Sequence, residues 1–233
     1  MENEIILTHT GKLGDFLYSL MVGSWLHKTR GAKIHWVLPQ SFKPFSFIGP
    51  LLLAQEQTAA VSLVDYPVRN WECGGQPYRF NPADFGVIAG EYYNLGFRHY
   101  PEAFIPEFYA SEHGFGVDYD FTLSIPDKRA HNGGGFTGRG KSLRTRETAM
   151  ERIAPGSEPI PAFIDLLDLA AGLKEADEVH SWFCGIAVLC WMARIRASVY
   201  WAPGHAYAPL FFPEPRTIKL VSLSRHPGQG VDR

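Results

Sequence analysis

The string His9-Thr10-Gly11-Lys12-Leu13-Gly14-Asp15 gathers the groups of this sequence best placed to do chemistry. It follows a short β-branched apolar run, Ile5-Ile6-Leu7-Thr8, and precedes a stretch in which Phe16, Leu17, Leu20, Met21, Trp25 and Leu26 recur at helical spacing. A glycine-rich turn in that setting lets backbone approach a ligand, and the helix it opens presents unpaired N–H groups that favour an anion. Asp15 already sets a carboxylate in that positive end, so a phosphate is repelled and a sugar hydroxyl is welcome. Such a carboxylate can take a proton from an attacking hydroxyl as a general base. It can equally do no more than stabilise its helix by ~0.3–1 kcal/mol, with Gly11 and Gly14 only making the turn. Spacing leaves both open, because the pattern is neither the dinucleotide GxGxxG nor the phosphate-binding loop that ends in Gly-Lys-Ser/Thr. His9 is placed to meet an acceptor, and Lys12 to pair with a phosphate or with Asp15 itself.

The other reactive residue types are scattered. Nine histidines, at 9, 27, 35, 99, 113, 131, 180, 205 and 226, show neither HExxH nor a short paired spacing, so they read as isolated polar residues and no metal is expected. Cys73, Cys184 and Cys190 form an odd set without CxxC and read as reduced core thiols. Ser19 and Ser181 lie outside any GxSxG elbow. Tyr92, Tyr93, Phe97, Tyr100, Phe104 and Phe108 offer flat faces that suit pyranose rings, and they serve equally well as core.

These side chains need elements to position them. Residues 5–8, the helical stretch stopped by Gly31, and Ala32 to Pro39 make one βαβ unit, which calls for a parallel sheet. A helix after Pro50, strands at 61–64, 85–89 and 121–125, and a helix at 107–113 extend it, with 69–82 as a surface loop. Beyond residue 147 come helices at 147–153, 162–173 and 185–193 and strands at 178–180 and 197–201, a second α/β half. Between the halves, residues 127–146 carry Gly133-Gly134-Gly135, Gly138 and Gly140 with Arg139, Lys141, Arg144 and Arg146. That segment is too poor in apolar residues to fold alone, and reads as a linker or a phosphate-contacting loop, with plain solvated surface as the other account. The expected organisation is 1–126, a Gly-rich basic linker at 127–146, and a reduced lobe at 147–233.

Bulk properties narrow the partners. The chain has 233 residues, 45% of them apolar, and a formal charge of −2, so nothing recruits nucleic acid or an anionic membrane by long-range attraction. The opening Met1-Glu2-Asn3-Glu4 is acidic where a signal peptide is basic, and no apolar run approaches the ~20 residues that span a bilayer. A cytoplasmic protein, not an integral membrane protein, is expected.

The loop Thr10 to Asp15, set between a strand and a helix and followed by Ile34-His35-Trp36-Val37, resembles the opening of the heptosyltransferases, glycosyltransferase family 9, where it reads close to S-L-G-D. The resemblance implies an α/β, GT-B-like architecture of two Rossmann-like lobes with parallel sheets. It also implies Asp15 as catalytic base, with His9, Gly11, Lys12 and Gly14 around it on the acceptor side. A second match lies downstream: Ala176-Asp177-Glu178-Val179-His180-Ser181-Trp182-Phe183-Cys184-Gly185 to Leu189, then Val199-Tyr200-Trp201-Ala202-Pro203, resembles the family's donor-binding strand, loop and helix. By that likeness Ser181, Cys184 and Gly185 would hold a nucleotide-sugar diphosphate on helix N–H groups. Lys141, Arg144 and Arg146 would be its charge partners, and Glu147 falls near a position that contacts the donor sugar.

The departures are specific. Phe183 stands where the family has aspartate, Cys184 where it has serine or threonine, and Val188 where it has histidine. The chain is also roughly 100 residues shorter than a usual two-lobe enzyme, with most of the shortfall between Ile125 and Glu147. The resemblance implies sugar transfer from a nucleotide-diphosphate donor to a hydroxyl acceptor, such as a glycan, without a cofactor or metal, and is compatible with a homo-oligomer. The lost donor contacts leave a catalytically lapsed relative, binding nucleotide or glycan or serving as an interaction subunit, as the alternative.

Overall fold

Ile5, Ile6 and Leu7 are all enclosed, which is what a central strand of a parallel sheet covered on both faces requires. The computed structural model describes residues 3–9, 12–40, 47–65, 81–87, 91–96, 104–126, 136–161, 165–201, 211–214 and 216–223. The chain divides into two compact units, Met1–Phe121 and Thr122–Arg233.

The first unit runs β1 (Glu4–His9), α1 (Leu13–Arg30), β2 (Lys33–Pro39), α2 (Gly49–Leu53), β3 (Thr58–Val64), β4 (Tyr92–Leu95) and α3 (Ile105–His113). Its four-stranded sheet has the order β3-β2-β1-β4, and every pairing is parallel. That is the order of half a Rossmann fold, with the direction of winding reversing between β1 and β4. Helix α1 lies so close to the sheet that a methyl group on Gly23 would sit 3.2 Å from the Trp36 ring. Gly31 ends the helix in the left-handed region, φ 63°, and returns its N–H to the His27 carbonyl at 2.9 Å.

The second unit runs β5 (Ser142–Arg144), α4 (Thr148–Ile153), β6 (Glu158–Pro159), α5 (Leu166–Lys174), β7 (Glu178–Trp182), α6 (Gly185–Met192), β8 (Ala197–Trp201) and β9 (Ile218–Ser222). The five strands pair in the order β6-β5-β7-β8-β9, again all parallel. Here the winding reverses between β5 and β7. Asp165 caps α5 by accepting the N–H groups of Leu167 and Asp168 at 2.8 and 3.3 Å. Helix α6 is apolar all round because it is enclosed, with Ala187 to Met192 all buried.

Two expectations are corrected. Phe85, expected to open a strand at 85–89, instead ends a 3₁₀ turn, Pro82–Phe85, capped by the Asn81 side chain, and the fourth strand is β4. Pro82 and the Asx cap favour the turn over a ladder. Residues 121–125 keep the alternation of a strand, with Phe121, Leu123 and Ile125 buried, yet they join neither sheet. The Leu123 N–H bonds to the Met192 carbonyl at 2.9 Å instead. Strand β5 lies inside the basic segment 127–146, and the division between the two compact units falls at Phe121. Burial of Leu143 between two charged or polar neighbours is enough to seat a three-residue strand. Strands β6 and β9 have no counterpart in the sequence reading, and residues 69–80 and 88–89 lie outside those described.

Among the described residues, no helix is long and apolar enough to cross a membrane.

Candidate functional site

In the first unit the candidate residues lie at the carboxyl end of β1, beside the reversal where such sheets place ligands. Lys12 is the N-cap of α1, exposed and extended, and Leu13, Gly14 and Asp15 are the first three helical residues. Gly14 is buried. From the third helical position the Asp15 carboxyl reaches back to accept the Lys12 backbone N–H, one half of a capping box. Asp15 is half-buried, and burial pushes its carboxyl up from 3.8 to about 6, against the opposing pull of the Lys12 charge and backbone N–H. A base poised near neutrality accepts a proton more readily than an ordinary aspartate. Thr10 and Gly11 lie outside the described residues.

His9, the last residue of β1, is fully enclosed rather than presented to an acceptor. Its ring stands edge-on to Phe16 and to Tyr109, with centroids 5.6 and 5.3 Å away. His9 Nε2 lies 2.9 Å from the Tyr109 hydroxyl, which donates its one hydrogen to the Asp15 carbonyl at 3.1 Å. Both bonds form together only when His9 carries its hydrogen on Nε2 and donates it to the tyrosine oxygen. Burial holds the imidazole neutral by lowering its pKa to about 3. Tyr109 was invisible to sequence reasoning, because one tyrosine in an aromatic-rich stretch carries no spacing signal.

These two shifts have opposite consequences for stability. From pH 6.5 down to about 3 the unfolded chain binds a proton at His9 that the folded chain refuses, so acid destabilises. Between about 6 and 3.8 the folded chain binds a proton at Asp15 that the unfolded chain does not yet hold, so acid stabilises. The two slopes cancel in that window. Asp15→Asn removes the second, so its unfolding free energy should fall more steeply than that of the wild type between roughly pH 6 and 4, approaching 1.4 kcal/mol per unit. Urea unfolding at half-unit steps of pH tests this, and parallel curves would contradict the raised Asp15 carboxyl.

In the second unit the corresponding reversal gathers the ends of β5 and β7. Thr145 Oγ1 accepts the Trp182 N–H at 3.2 Å, and the Thr145 N–H donates to the His180 carbonyl at 3.0 Å, which ties the two strand ends together. Cys184 is the N-cap of α6 and Gly185 its first residue. The helix's first turn holds no acidic side chain of its own, unlike that of α1. Burial pushes the Cys184 thiol up, opposed by Ser181 and by the N–H groups of Ile186 and Ala187, while the nearby Glu147 carboxylate raises it further. Ser181 is enclosed, donates to the Trp182 carbonyl at 2.7 Å and touches Cys184 Sγ at 3.6 Å. Ser181, Cys184, Gly185 and Glu147 are thus brought together.

The basic residues are less concentrated. Lys141 pairs with Glu158 at 2.7 Å and Arg144 with Glu151 at 3.6 Å. Arg146 donates Nε–H to the Ile160 carbonyl at 2.6 Å. Ser19 donates to the Phe16 carbonyl in its own helix, which removes any nucleophile reading. Of the aromatic group, Phe104 and Phe108 are core, Tyr92 is exposed, and Phe97 and Tyr100 lie outside the described residues. Cys190 is enclosed, and Cys73 lies outside the described residues. Among the described residues no group of three or more His, Cys, Asp or Glu could hold a metal ion.

No family model matches the sequence, and no curated protein matches it. Solved structures do. The glycosyl transferase family 9 protein from Veillonella parvula DSM 2008 matches with a TM-score of 0.63 and 10% identity, over 95% of this chain and 86% of that one. The E. coli ADP-heptose lps heptosyltransferase II matches with a TM-score of 0.61 and 11% identity, over 98% and 92%. The E. coli heptosyltransferase WaaC with ADP gives 0.57 and 12%, over 94% and 93%.

The fold is that of the family 9 glycosyltransferases. Its two Rossmann-like lobes are the two parallel sheets described above. Two of the positions at which the sequence differs from the family's pattern, Phe183 and Val188, lie just before and within α6. Phe183 stands edge-on to Phe211 and Phe212, with centroids 4.8 and 5.7 Å apart, and Val188 is buried. Both side chains are thus packed against protein, and the first turn of α6 carries no acidic side chain of its own.

Proposed function

We propose that this protein is a glycosyltransferase that moves a sugar from a nucleoside-diphosphate donor to a hydroxyl acceptor. Asp15 takes the hydroxyl proton, and α6 receives the departing diphosphate at the end marked by Cys184 and Gly185. The observation that carries the reading is the half-buried Asp15 carboxyl at the carboxyl end of β1, raised to about 6. Its carboxylate form, present above that pH, accepts the proton as the acceptor oxygen attacks the anomeric carbon and the bond to the diphosphate breaks. His9, Lys12 and Gly14 flank the place where it is presented.

The two helix ends divide the labour by charge. At α1 the carboxylate occupies the positive pole, so a neutral hydroxyl suits it. At α6 the first turn carries no acidic side chain of its own, and its backbone N–H groups stabilise the negative charge that develops on the leaving group. Arg144 and Arg146 lie at the carboxyl end of β5 and supply further positive charge, whereas Lys141 precedes that strand and pairs with Glu158. Glu147 is assigned to the donor sugar, and the enclosed Ser181 supports Cys184 from behind. No metal is invoked.

One structural neighbour, WaaC, is a complex with ADP, and another is an ADP-heptose heptosyltransferase, which makes an ADP-sugar the first donor to test. Isothermal titration with ADP-heptose, and with UDP- and GDP-sugars as comparisons, is expected to show saturable heat with one nucleotide series at micromolar to millimolar Kd. Absence of heat with every donor would contradict the reading and favour a protein that has lost donor binding through Phe183 and Val188.

A further inference from the structure

The hydrogen-bonded chain beneath the first turn of α1 has a use that the proton-transfer reading alone does not assign. His9 at the end of β1, Tyr109 on α3 and the Asp15 carbonyl on α1 form one connected set drawn from three separate elements. Tyr109 is buried, and its ring is also packed edge-on against Phe108. A first-turn carbonyl does not need such a partner, because the helix supplies an N–H four residues on. Tyr109 uses the second lone pair of that carbonyl, which is a tertiary tie rather than a helix-forming bond.

We propose that Tyr109 is a positioning residue for Asp15: its hydroxyl, oriented by the His9 ring, pins the first turn of α1 so that the carboxylate stays turned into its half-buried place at the end of β1. The role rests on the reading of Asp15 as the base. Tyr109 touches only the backbone of Asp15, so it acts through geometry and not as an acid or base. His9 fixes which way the hydroxyl points, because donation from Nε2 leaves the tyrosine hydrogen free for the Asp15 carbonyl alone. The charged group that acts on the Asp15 carboxyl is Lys12 on the cap of the same helix. His9 is neutral over the working range, so neither it nor Tyr109 adds a charge that would shift Asp15 directly.

The test follows the Asp15 carboxyl carbon by NMR in full-length protein labelled with 13C-aspartate, the signal being assigned by its absence in Asp15→Asn. Tyr109→Phe keeps the ring and removes the tie. Its Asp15 midpoint is expected to fall by about one unit, toward the ordinary aspartate range, as the turn relaxes toward water. His9→Gln, which keeps an N–H donor within reach of the tyrosine, is expected to leave the midpoint in place. With an ADP-sugar donor, Tyr109→Phe lowers kcat with little change in KM, because only the presentation of the base is affected. An unchanged midpoint in folded Tyr109→Phe overturns the positioning role while leaving the base untouched. Full activity in Asp15→Asn instead removes the base, whatever the titration shows.

Discussion

Asp15→Asn is expected to cut sugar transfer by about 10²–10⁴-fold, the usual contribution of a positioned general base. The same substitution should make Met1–Phe121 more stable. Above pH 6 the wild type holds an ionised carboxylate where burial favours the neutral form, and the shift from 3.8 to about 6 sets the size of that penalty. At about 1.4 kcal/mol per unit, and allowing for partial exposure, asparagine recovers roughly 1–2 kcal/mol at pH 8. The gain vanishes by about pH 4, where the aspartate is protonated in the folded chain as well. Asparagine keeps an oxygen for the Lys12 N–H, so the helix cap survives. Loss of activity with a gain in stability is the signature of a group held in place against its own solvation preference, and a residue that merely capped its helix would give the reverse. Thermal unfolding at pH 8 and at pH 4, set beside the rate of transfer, separates the two.

Gly138→Ala should damage the second unit more than any conservative change on its surface. A methyl group there would fall inside the van der Waals radius of the Gly172 carbonyl oxygen on α5, and backbone cannot rotate away as a side chain can. Gly172 is in turn covered by the Phe136 ring, so the basic segment lies on the helix glycine to glycine. The Lys141 N–H bonds to the Gly138 carbonyl at 2.9 Å, and β5 begins at the next residue. Overpacking of this kind costs about 1–3 kcal/mol, and here it should also displace β5 and with it Arg144 and Arg146 at the strand's carboxyl end, weakening the proposed donor binding. Gly140→Ala is the matched control. Gly140 has φ +69° but open space around it, so only backbone strain opposes the change and the strand should stay seated. Urea unfolding with hydrogen exchange on β5 reads both variants. Equal losses would mean that close approach to α5 is not what holds the segment.

The sequence announced the first lobe more fully than the second, for reasons that lie in the residues. Strands β1 and β2 are continuous apolar runs bounded by glycine and proline, and α1 ends on a glycine in the left-handed region, so period and punctuation agree. Tyr92–Leu95 carries no strand signal in the sequence, because its four residues include an asparagine and no alternation, and only pairing with β1 makes it a strand. Residues 121–125 err the other way: alternation records burial on one side, which an extended segment satisfies without a ladder. In the second lobe, Ser142–Arg144 hides in a basic, glycine-rich context whose composition argues against structure, while its one buried residue, Leu143, is enough for the sheet to use.

The same contrast holds for the candidate site. Asp15 was legible because a carboxylate between a glycine turn and a helix is a local pattern. The gathering of Ser181, Cys184, Gly185 and Glu147 followed from strand, loop and helix in one stretch plus a resemblance. Tyr109 was not legible, since its contact with His9 spans 100 residues and its type is common nearby. The burial of His9 was equally hidden, because nothing in the loop's composition says which side of the turn faces protein.

The proposed chemistry turns on Asp15 withdrawing a proton from a hydroxyl that displaces a nucleoside diphosphate. Release of ADP from ADP-heptose, with water or an added glycan as the hydroxyl, tests this step when wild type and Asp15→Asn are compared after titration has shown that both bind the donor. Expected are equal donor binding, a wild-type rate that rises through pH 6, and release from the variant slower by about two orders of magnitude or more. Release by Asp15→Asn at the wild-type rate, with the same pH dependence, would show that the carboxylate is not the base.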